Sequence, residues 1–195
     1  VGDDFRFGCD RSGNFEMLVE MGGELDFTVQ DTRTIEIDGE RVSSTLIRQL
    51  LEQADFKLVS KLLGRHFAVK GRVFYGQQLG RELGFPTANM QLNRYRAPLS
   101  GVCAVLVEVE GFSTRFQGAA NVGVRPTVGD LVKPILEVHL IDFDEQIFGR
   151  RIKVEFLHKI RNEKEFTSLD DLTVYIRQDI NNIRDWFANA NLSIS

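Results

Sequence analysis

Short runs of alternating apolar and polar residues fill the second two thirds of this chain and limit the folds that it can adopt. Clusters of Gly, Pro, Asn and Asp separate these runs at short spacing. Such runs are typical of half-buried β-strands, and several in succession predict an antiparallel barrel or a sandwich. The predicted strands cover residues 67–75, 101–110, 114–120, 134–143 and 150–158.

The stretch before these strands has a different character and predicts an α/β segment. Residues 15–38 contain two β-like runs. A helix follows that begins at Ser43 or Ser44, and a second helix ends at Gly64, a residue type that is common just beyond a helix C-terminus. The change of character predicts two domains, residues 1–66 and 67–195.

The end of the chain predicts an amphipathic helix. Ser168 and Asp171 have the spacing of a capping box, and apolar residues recur at helical spacing from Leu169 to Phe187. We expect this helix to pack on the barrel as a structural element. The protein as a whole is therefore expected to be α+β.

The composition is that of a globular protein and argues against some partners. The chain has 195 residues, of which 43% are hydrophobic. Its net charge of −4 disfavours nucleic acid and anionic membrane surfaces as main partners. Cys9 and Cys103 have neither metal nor redox spacing, so we expect a reduced, cytoplasmic protein. The chain opens at Val1 and not at Met, so we expect a fragment of a longer protein. The sequence leaves the oligomeric state open.

A glycine-rich stretch ends in a polar motif and is a candidate phosphate site. Two oxygen-bearing side chains, Thr87 and Asn89, lie two residues apart and point to the same side of an extended segment. Flexible backbone and neutral oxygens suit a nucleotide phosphate with a hard cation. The alternative is a glycine-punctuated hairpin with a polar turn. The glycines are Gly71, Gly76, Gly80 and Gly84.

The predicted strand at residues 134–142 carries an acid and an imidazole on one face. Glu137 and His139 alternate with apolar residues that point the other way. Glu137 is either a general base in a partly desolvated barrel mouth or a solvated surface acid. For His139 we expect a packing or orienting role.

Two further positions could contact an anion. Residues 120–127 predict a stiff polar loop that contains Asn121 and Arg125, and the loop is either a simple turn or a cover over a ligand. Arg161 is a candidate phosphate partner, and the equal alternative is a charge pair with Glu163 or Glu165.

Four motifs occur in an order and spacing that resemble the riboflavin kinase family. They are GRVFYGQQLGRELGFPTAN, NVGVRPT, LEVHLIDF and an Ile-Arg step before the terminal helix, and they cover about residues 66 to 188. The segments VGDDFRFG and RVSSTLIR resemble the end of an FMN adenylyltransferase domain. Together they are similar to the bacterial bifunctional riboflavin kinase/FMN adenylyltransferase (FAD synthetase) family. The resemblance implies a Greek-key β-barrel with a C-terminal helix, preceded by a partial Rossmann-like segment.

The resemblance also implies a reaction, in which the ATP γ-phosphate passes to the 5′-hydroxyl of riboflavin with Mg²⁺, yielding FMN and ADP. Glu137 would be the catalytic base, and Thr87 and Asn89 would contact Mg²⁺ and the phosphates. The phosphate loop would include Gly71, Gly76, Gly80, Arg81 and Gly84. The residues near the flavin would be Asn121, Arg125 and Arg161. The alternative from another class is a non-catalytic module that senses flavin or nucleotide.

The upstream segment resembles only part of an adenylyltransferase. The family's HxGH histidine pair is absent, because the chain has only His66, His139 and His158. We therefore expect FAD synthesis in the parent protein and not in this chain. The matching nucleotide-site positions are Asp4, Arg41, Ser44, Thr45 and Arg48.

Overall fold

The computed structural model describes residues 2, 5–32, 34–76, 79–92, 97–125 and 133–190, without the side chains of residues 124, 125 and 133. The chain divides into two compact units, Val1–Ser44 and Thr45–Ser195. The domain boundary predicted between residues 66 and 67 stays a prediction.

The first unit contains a helix where the sequence suggested strands. Helix α1 spans Phe15–Leu25, so the β-like reading of its residues is wrong. The reason lies at its ends: Asn14 accepts a hydrogen bond from the Met17 amide, and Asp26 closes the helix in the left-handed conformation. Two short strands follow, β1 (Glu36–Ile37) and β2 (Glu40–Arg41), and they pair as an antiparallel hairpin.

The two helices predicted before the barrel strands are present. Helix α2 spans Ser44–Glu52, and helix α3 spans Phe56–Leu63. Gly64 ends α3 in the left-handed conformation, which confirms its predicted role at the C-terminus. Phe56 on α3 stacks on Phe156 with ring centroids 6.3 Å apart, and this contact fixes α3 on the sheet.

A six-stranded antiparallel sheet forms the body of the second unit, and its order is β3-β8-β5-β6-β7-β4. The consecutive strands β5 to β8 lie in the order β8-β5-β6-β7, which is a Greek key. The edges β3 and β4 meet where the Phe74 amide donates to the Asn89 carbonyl at 2.9 Å, so the barrel is nearly closed. The predicted Greek-key barrel is confirmed. Its strands are β3 (Phe67–Arg72), β4 (Ala88–Gln91), β5 (Gly101–Val109), β6 (Arg115–Arg125), β7 (Lys133–Leu140) and β8 (Arg151–Arg161).

A short helix, α4 (Leu79–Glu82), lies between β3 and β4 in the chain, and helix α5 (Leu169–Ala190) covers part of the outer face of the sheet. The Ser168 hydroxyl accepts a hydrogen bond from the Asp171 amide at 3.1 Å, which confirms the predicted cap. Ile183 and Phe187 pack against Ala104 and Leu106 of β5 in one apolar cluster. Strand β5 is therefore buried on both faces, one toward the barrel interior and one toward α5.

Candidate active site

Neighbouring strands align one row of side chains across the barrel. The strand register places Asn89 of β4 opposite Glu137 of β7, and Glu137 opposite Asn121 of β6. The row continues through Val102 of β5 to Arg161 of β8. Because directly opposite residues of an antiparallel sheet share a face, these side chains point to the same side. The fold thus brings together residues that are far apart in the sequence.

The row lines a cavity of about 220 Å³, called the first cavity below. Helix α5 forms its opposite wall with Leu172, Ile176, Asp179 and Ile180. The predicted role of α5 as a purely structural element is therefore too narrow, since the helix also shapes this cavity. The short helix α4 contributes Leu79 and Gly80 to this lining.

Thr87 and Asn89 lie at the boundary between the first cavity and a second one. The second cavity, about 290 Å³, also contains Gly76, Arg81 and the aromatic residues Phe74, Tyr75 and Phe148. Both Thr87 and Asn89 line both cavities. These two side chains can therefore contact ligands in either space.

The Asn89 side chain is buried and only partly satisfied. Its Nδ2 atom donates to the Thr87 carbonyl at 3.3 Å and more weakly to the Thr87 hydroxyl at 3.5 Å. Its Oδ1 atom is buried without a hydrogen-bond partner among the described residues. A methyl group added at Gly76 would lie 2.7 Å from this oxygen, so only glycine leaves room for the side chain. An unpaired buried acceptor is costly, which favours a ligand at this point.

The glycines of the phosphate-loop prediction do not share one environment. Gly80 lines the first cavity and Gly76 the second, whereas Gly71 faces the Met90 side chain. Gly84 has a φ of +85°, which other residues adopt only with strain. It follows the short helix, and the Phe85 amide after it donates to the Gly80 carbonyl at 2.6 Å.

Glu137 and His139 point from β7 to the first cavity, as the alternation predicts. Both side chains are half-buried, and they lie on the sheet face that α5 covers. His139 Nδ1 is 2.9 Å from the Pro86 carbonyl, and the Phe85 ring meets its imidazole edge-on. The expected orienting role of His139 therefore has a specific target, the segment just before Thr87.

Arg161 has a partner that sequence reasoning missed. Its guanidinium makes three contacts of 2.7–3.0 Å with the Asp179 carboxylate and lies 5.7 Å above the Phe166 ring. The partner is thus not Glu163 or Glu165. One signal was available: Asp179 is a charged residue inside the apolar helical stripe of α5. Asp179 accepts from Nε and Nη2, and the Asn162 carbonyl accepts from Nη1 at 3.0 Å, so each guanidinium nitrogen has a partner and Arg161 presents mainly the face of its guanidinium.

The polar loop predicted at residues 120–127 begins as strand. Strand β6 runs to Arg125, because the alternation continues through Asn-Val-Gly-Val, and Asn121 is therefore a strand residue. The Arg125 side chain and residues 126–127 lie outside the described part of the chain. So does Asp4 from the upstream prediction. Of the other upstream positions, Arg41 lies on β2, and the remaining ones lie on α2 at Ser44, Thr45 and Arg48.

Family models match most of the chain. The riboflavin kinase model matches residues 63–187, and the FAD synthetase model matches residues 1–46. The first covers the whole barrel and most of α5, including the row of aligned side chains.

Curated relatives extend the match. The bifunctional riboflavin kinase/FMN adenylyltransferase of Pseudomonas fluorescens is 51% identical over 92% of this chain, and that of Haemophilus influenzae is 46% identical over 96%. The chain spans 57% and 60% of the length of these two relatives.

A solved structure, described as a macrolide-efflux protein from Streptococcus pneumoniae, has a TM-score of 0.70 and 32% identity to this chain. The match covers 95% of this chain and 59% of the chain in that structure. Within the described residues of this chain, no helix is both long enough and apolar enough to cross a membrane. The family-model match over the barrel and the site row shows that this chain belongs to the riboflavin kinase family.

Proposed function

We propose that this chain is a riboflavin kinase that transfers the γ-phosphate of ATP to the 5′-hydroxyl of riboflavin. The observation that carries the proposal is the position of Glu137 between Asn89 and Asn121 in the strand register, facing the first cavity. An acid in such a row is suited to accept a proton from a hydroxyl, while its neighbours position the reacting groups. Membership of the riboflavin kinase family supports the same reaction.

The side chains that line the two cavities suit the two substrates. We place riboflavin in the first cavity, because Glu137 faces it and its walls carry apolar side chains such as Phe85, Ile176 and Ile180. We place the nucleotide in the second cavity, where Phe74, Tyr75 and Phe148 offer aromatic surface to a purine. The γ-phosphate would then lie near Thr87 and Asn89, which border both spaces.

The donors present fit Mg²⁺. Mg²⁺ prefers oxygen ligands and is often held by few protein groups together with substrate phosphates and water. The unpaired Asn89 Oδ1 and the Thr87 hydroxyl, exposed beside it, are such donors. Within the described residues, no group of three or more His, Cys, Asp or Glu side chains could hold a metal, which agrees with a metal that comes with the nucleotide. When bound, the ion would neutralise negative charge on the phosphates.

The chemical step then has a role for each group. Glu137 accepts the proton of the riboflavin 5′-hydroxyl as its oxygen attacks the γ-phosphorus. The new O–P bond forms as the bond between the γ-phosphorus and the β,γ-bridging oxygen breaks, and ADP leaves with that oxygen. Asn121 and Arg161 border the acceptor side, and the Arg161 guanidinium face is suited to a planar ring.

Glu137→Gln tests the proposal. We expect turnover to fall by at least about a hundredfold, since general-base catalysis contributes roughly 10²–10⁴. Riboflavin and ATP should still bind, because the amide keeps the shape of the carboxylate. FMN formation by chromatography and binding by fluorescence titration measure the two effects. Turnover close to that of the unchanged chain would remove Glu137 from the mechanism.

A protein that contains this chain is proposed to have a second activity, adenylyl transfer to FMN. The match of residues 1–46 to the FAD synthetase model and the names of the relatives support it. For the present chain we propose FMN formation without FAD formation. The cytoplasmic location, the absence of a nucleic-acid partner and the roles of Arg41, Ser44, Thr45 and Arg48 stay predictions.

A further inference from the structure

Proline interrupts the strand pairing just before the proposed phosphate ligands. Strand β4 pairs with β7 from Ala88, which lies opposite Val138, onward to Gln91. Pro86 has no N–H group and therefore cannot extend this ladder. Thr87 therefore lies between Pro86 and Ala88, the first paired residue of β4. Strand pairing alone does not hold the backbone on the Pro86 side of Thr87.

A side chain replaces the missing ladder bond. His139, the residue after Val138, has its Nδ1 atom 2.9 Å from the Pro86 carbonyl oxygen. A carbonyl can only accept, so Nδ1 carries the proton in this hydrogen bond. The Phe85 ring lies edge-on to the imidazole, with centroids 5.9 Å apart and an interplanar angle of 84°. The imidazole therefore contacts two consecutive residues of the turn that leads into Thr87.

We infer that His139 is a positioning residue, which holds Thr87 in place through the Pro86 carbonyl. Thr87 is then fixed from both sides, by the ladder at Ala88 and by the hydrogen bond at Pro86. A ligand group that is held before binding loses less conformational freedom on binding. Asn89 lies within the ladder and needs no such support. The inference rests on the proposed function in one respect: it takes metal-bound ATP as the ligand that the positioned Thr87 binds.

Two substitutions separate the hydrogen bond from the ring. His139→Phe keeps an aromatic ring of similar size and removes the donor. His139→Asn loses the ring but can place an amide N–H close to the position of Nδ1. His158→Phe is the matched control, because His158 is exposed and stacks on Trp186 outside the first cavity.

The kinetic prediction concerns one substrate. In His139→Phe the KM for ATP at saturating Mg²⁺ should rise about fivefold, the value of one net hydrogen bond. The Kd for riboflavin without nucleotide should change less than about twofold, because the phenylalanine ring keeps the ring surface that His139 presents to the first cavity. His139→Asn and His158→Phe should keep both values near those of the unchanged chain. The inference would be overturned if the KM for ATP were unchanged in His139→Phe, or if it rose as much in His139→Asn as in His139→Phe. It would also be overturned if His139→Phe weakened riboflavin binding more than ATP binding.

A second measurement does not depend on catalysis. Without any ligand, hydrogen exchange at the backbone amides of Phe85, Thr87, Ala88 and Asn89 should be faster in His139→Phe than in the unchanged chain, and similar to it in His139→Asn. Equal exchange in all variants would overturn the positioning role. If the unchanged chain made no FMN, the proposed function would fail while this exchange difference would still decide the role of His139.

Discussion

At the scale of single residues, Asn89 links the stability of the barrel to its proposed chemistry. The side chain is 4% exposed, and its Oδ1 atom has no partner among the described residues. Such an atom lowers stability unless a ligand uses it. We therefore expect the buried Asn89 oxygen to serve ligand binding. A substitution that removes this oxygen should weaken binding without lowering the stability of the free protein.

Asn89→Leu is the substitution that makes this separation. The leucine side chain has a similar shape and no polar atom, so the free energy of unfolding without ligand should change by less than about 1 kcal/mol. The KM for ATP with Mg²⁺ should rise at least about tenfold. This rise corresponds to the loss of one contact between Asn89 Oδ1 and the charged metal–nucleotide complex, worth about 1.4 kcal/mol or more. Riboflavin binding should change less.

Urea unfolding and ATP titration measure these two effects. Gln91→Leu is the control, since Gln91 lies on the same strand and face but is exposed and lines neither cavity. A large loss of stability together with unchanged ATP binding in Asn89→Leu would contradict the proposed ligand role.

A buried thiol gives the barrel a specific response to alkaline pH. Burial raises the pKa of the Cys103 thiol from 9.0 to about 12. The folded state therefore keeps a proton that the unfolded state loses above its own pKa. This contribution to stability is fully present below pH 9 and is lost as pH rises from 9 toward 12.

Cys103→Ala isolates that contribution. The difference in unfolding free energy between the unchanged chain and the variant should be constant below pH 9. Above pH 9 the unfolding free energy of the unchanged chain should fall relative to that of the variant, by up to about 1.4 kcal/mol per pH unit. Urea unfolding at pH 8, 9 and 10 measures it, and a difference that stays constant across this range would show that burial does not hold the thiol neutral.

At the scale of elements, the pair of Arg161 and Asp179 fixes helix α5 to strand β8. The Asp179 side chain is 8% exposed, and the closest contact is 2.7 Å. Asp179→Asn would leave the guanidinium without its counter-charge, so we expect a loss of about 3 kcal/mol in unfolding free energy.

Helix α5 also supplies the control for this prediction. Arg184 pairs with Asp142 at 2.6 Å, but both side chains are at least half exposed. Asp142→Asn should therefore cost less than about 1 kcal/mol. Urea unfolding of the two variants compares them directly, and equal losses would show that the Arg161 pair has no special role in holding α5.

Sequence patterns predicted most elements, and the exceptions have physical causes. Alternation and turn residues placed five of the six barrel strands, and capping residues placed α2, α3 and α5. Strand β4 and the short helix α4, each of four residues, were not predicted. Strand β6 was predicted too short because Asn121 and Gly123 resemble turn residues although the alternation continues through them. Helix α1 was missed because its caps at Asn14 and Asp26 outweigh a β-like composition.

The site could be predicted in part. Thr87, Asn89 and Glu137 could be singled out from residue type and spacing, and the structure brings them to one cavity. Their alignment opposite one another depends on the strand register, which no local pattern contains. The same is true of Asp179, because its partner lies on another element.

At the scale of the whole molecule, barrel closure explains why the two cavities share a wall. The sheet edges meet at Phe74 and Asn89, so strand β4, which directly follows Thr87 and carries Asn89, is held between β7 and the segment just after β3. Spaces on the two sides of this strand can then hold a phosphate donor and an acceptor close to one pair of oxygen ligands. In-line phosphoryl transfer requires this kind of arrangement.

The most direct test of the account is the product that the chain forms. The chain is incubated with riboflavin, ATP and Mg²⁺, and FMN and FAD are separated by chromatography, with Glu137→Gln treated in parallel. We predict FMN that accumulates with time, no FAD, and little FMN from the variant. Riboflavin binding without any FMN would contradict the account and indicate a sensor module, and FAD formation would contradict the reading of the upstream segment.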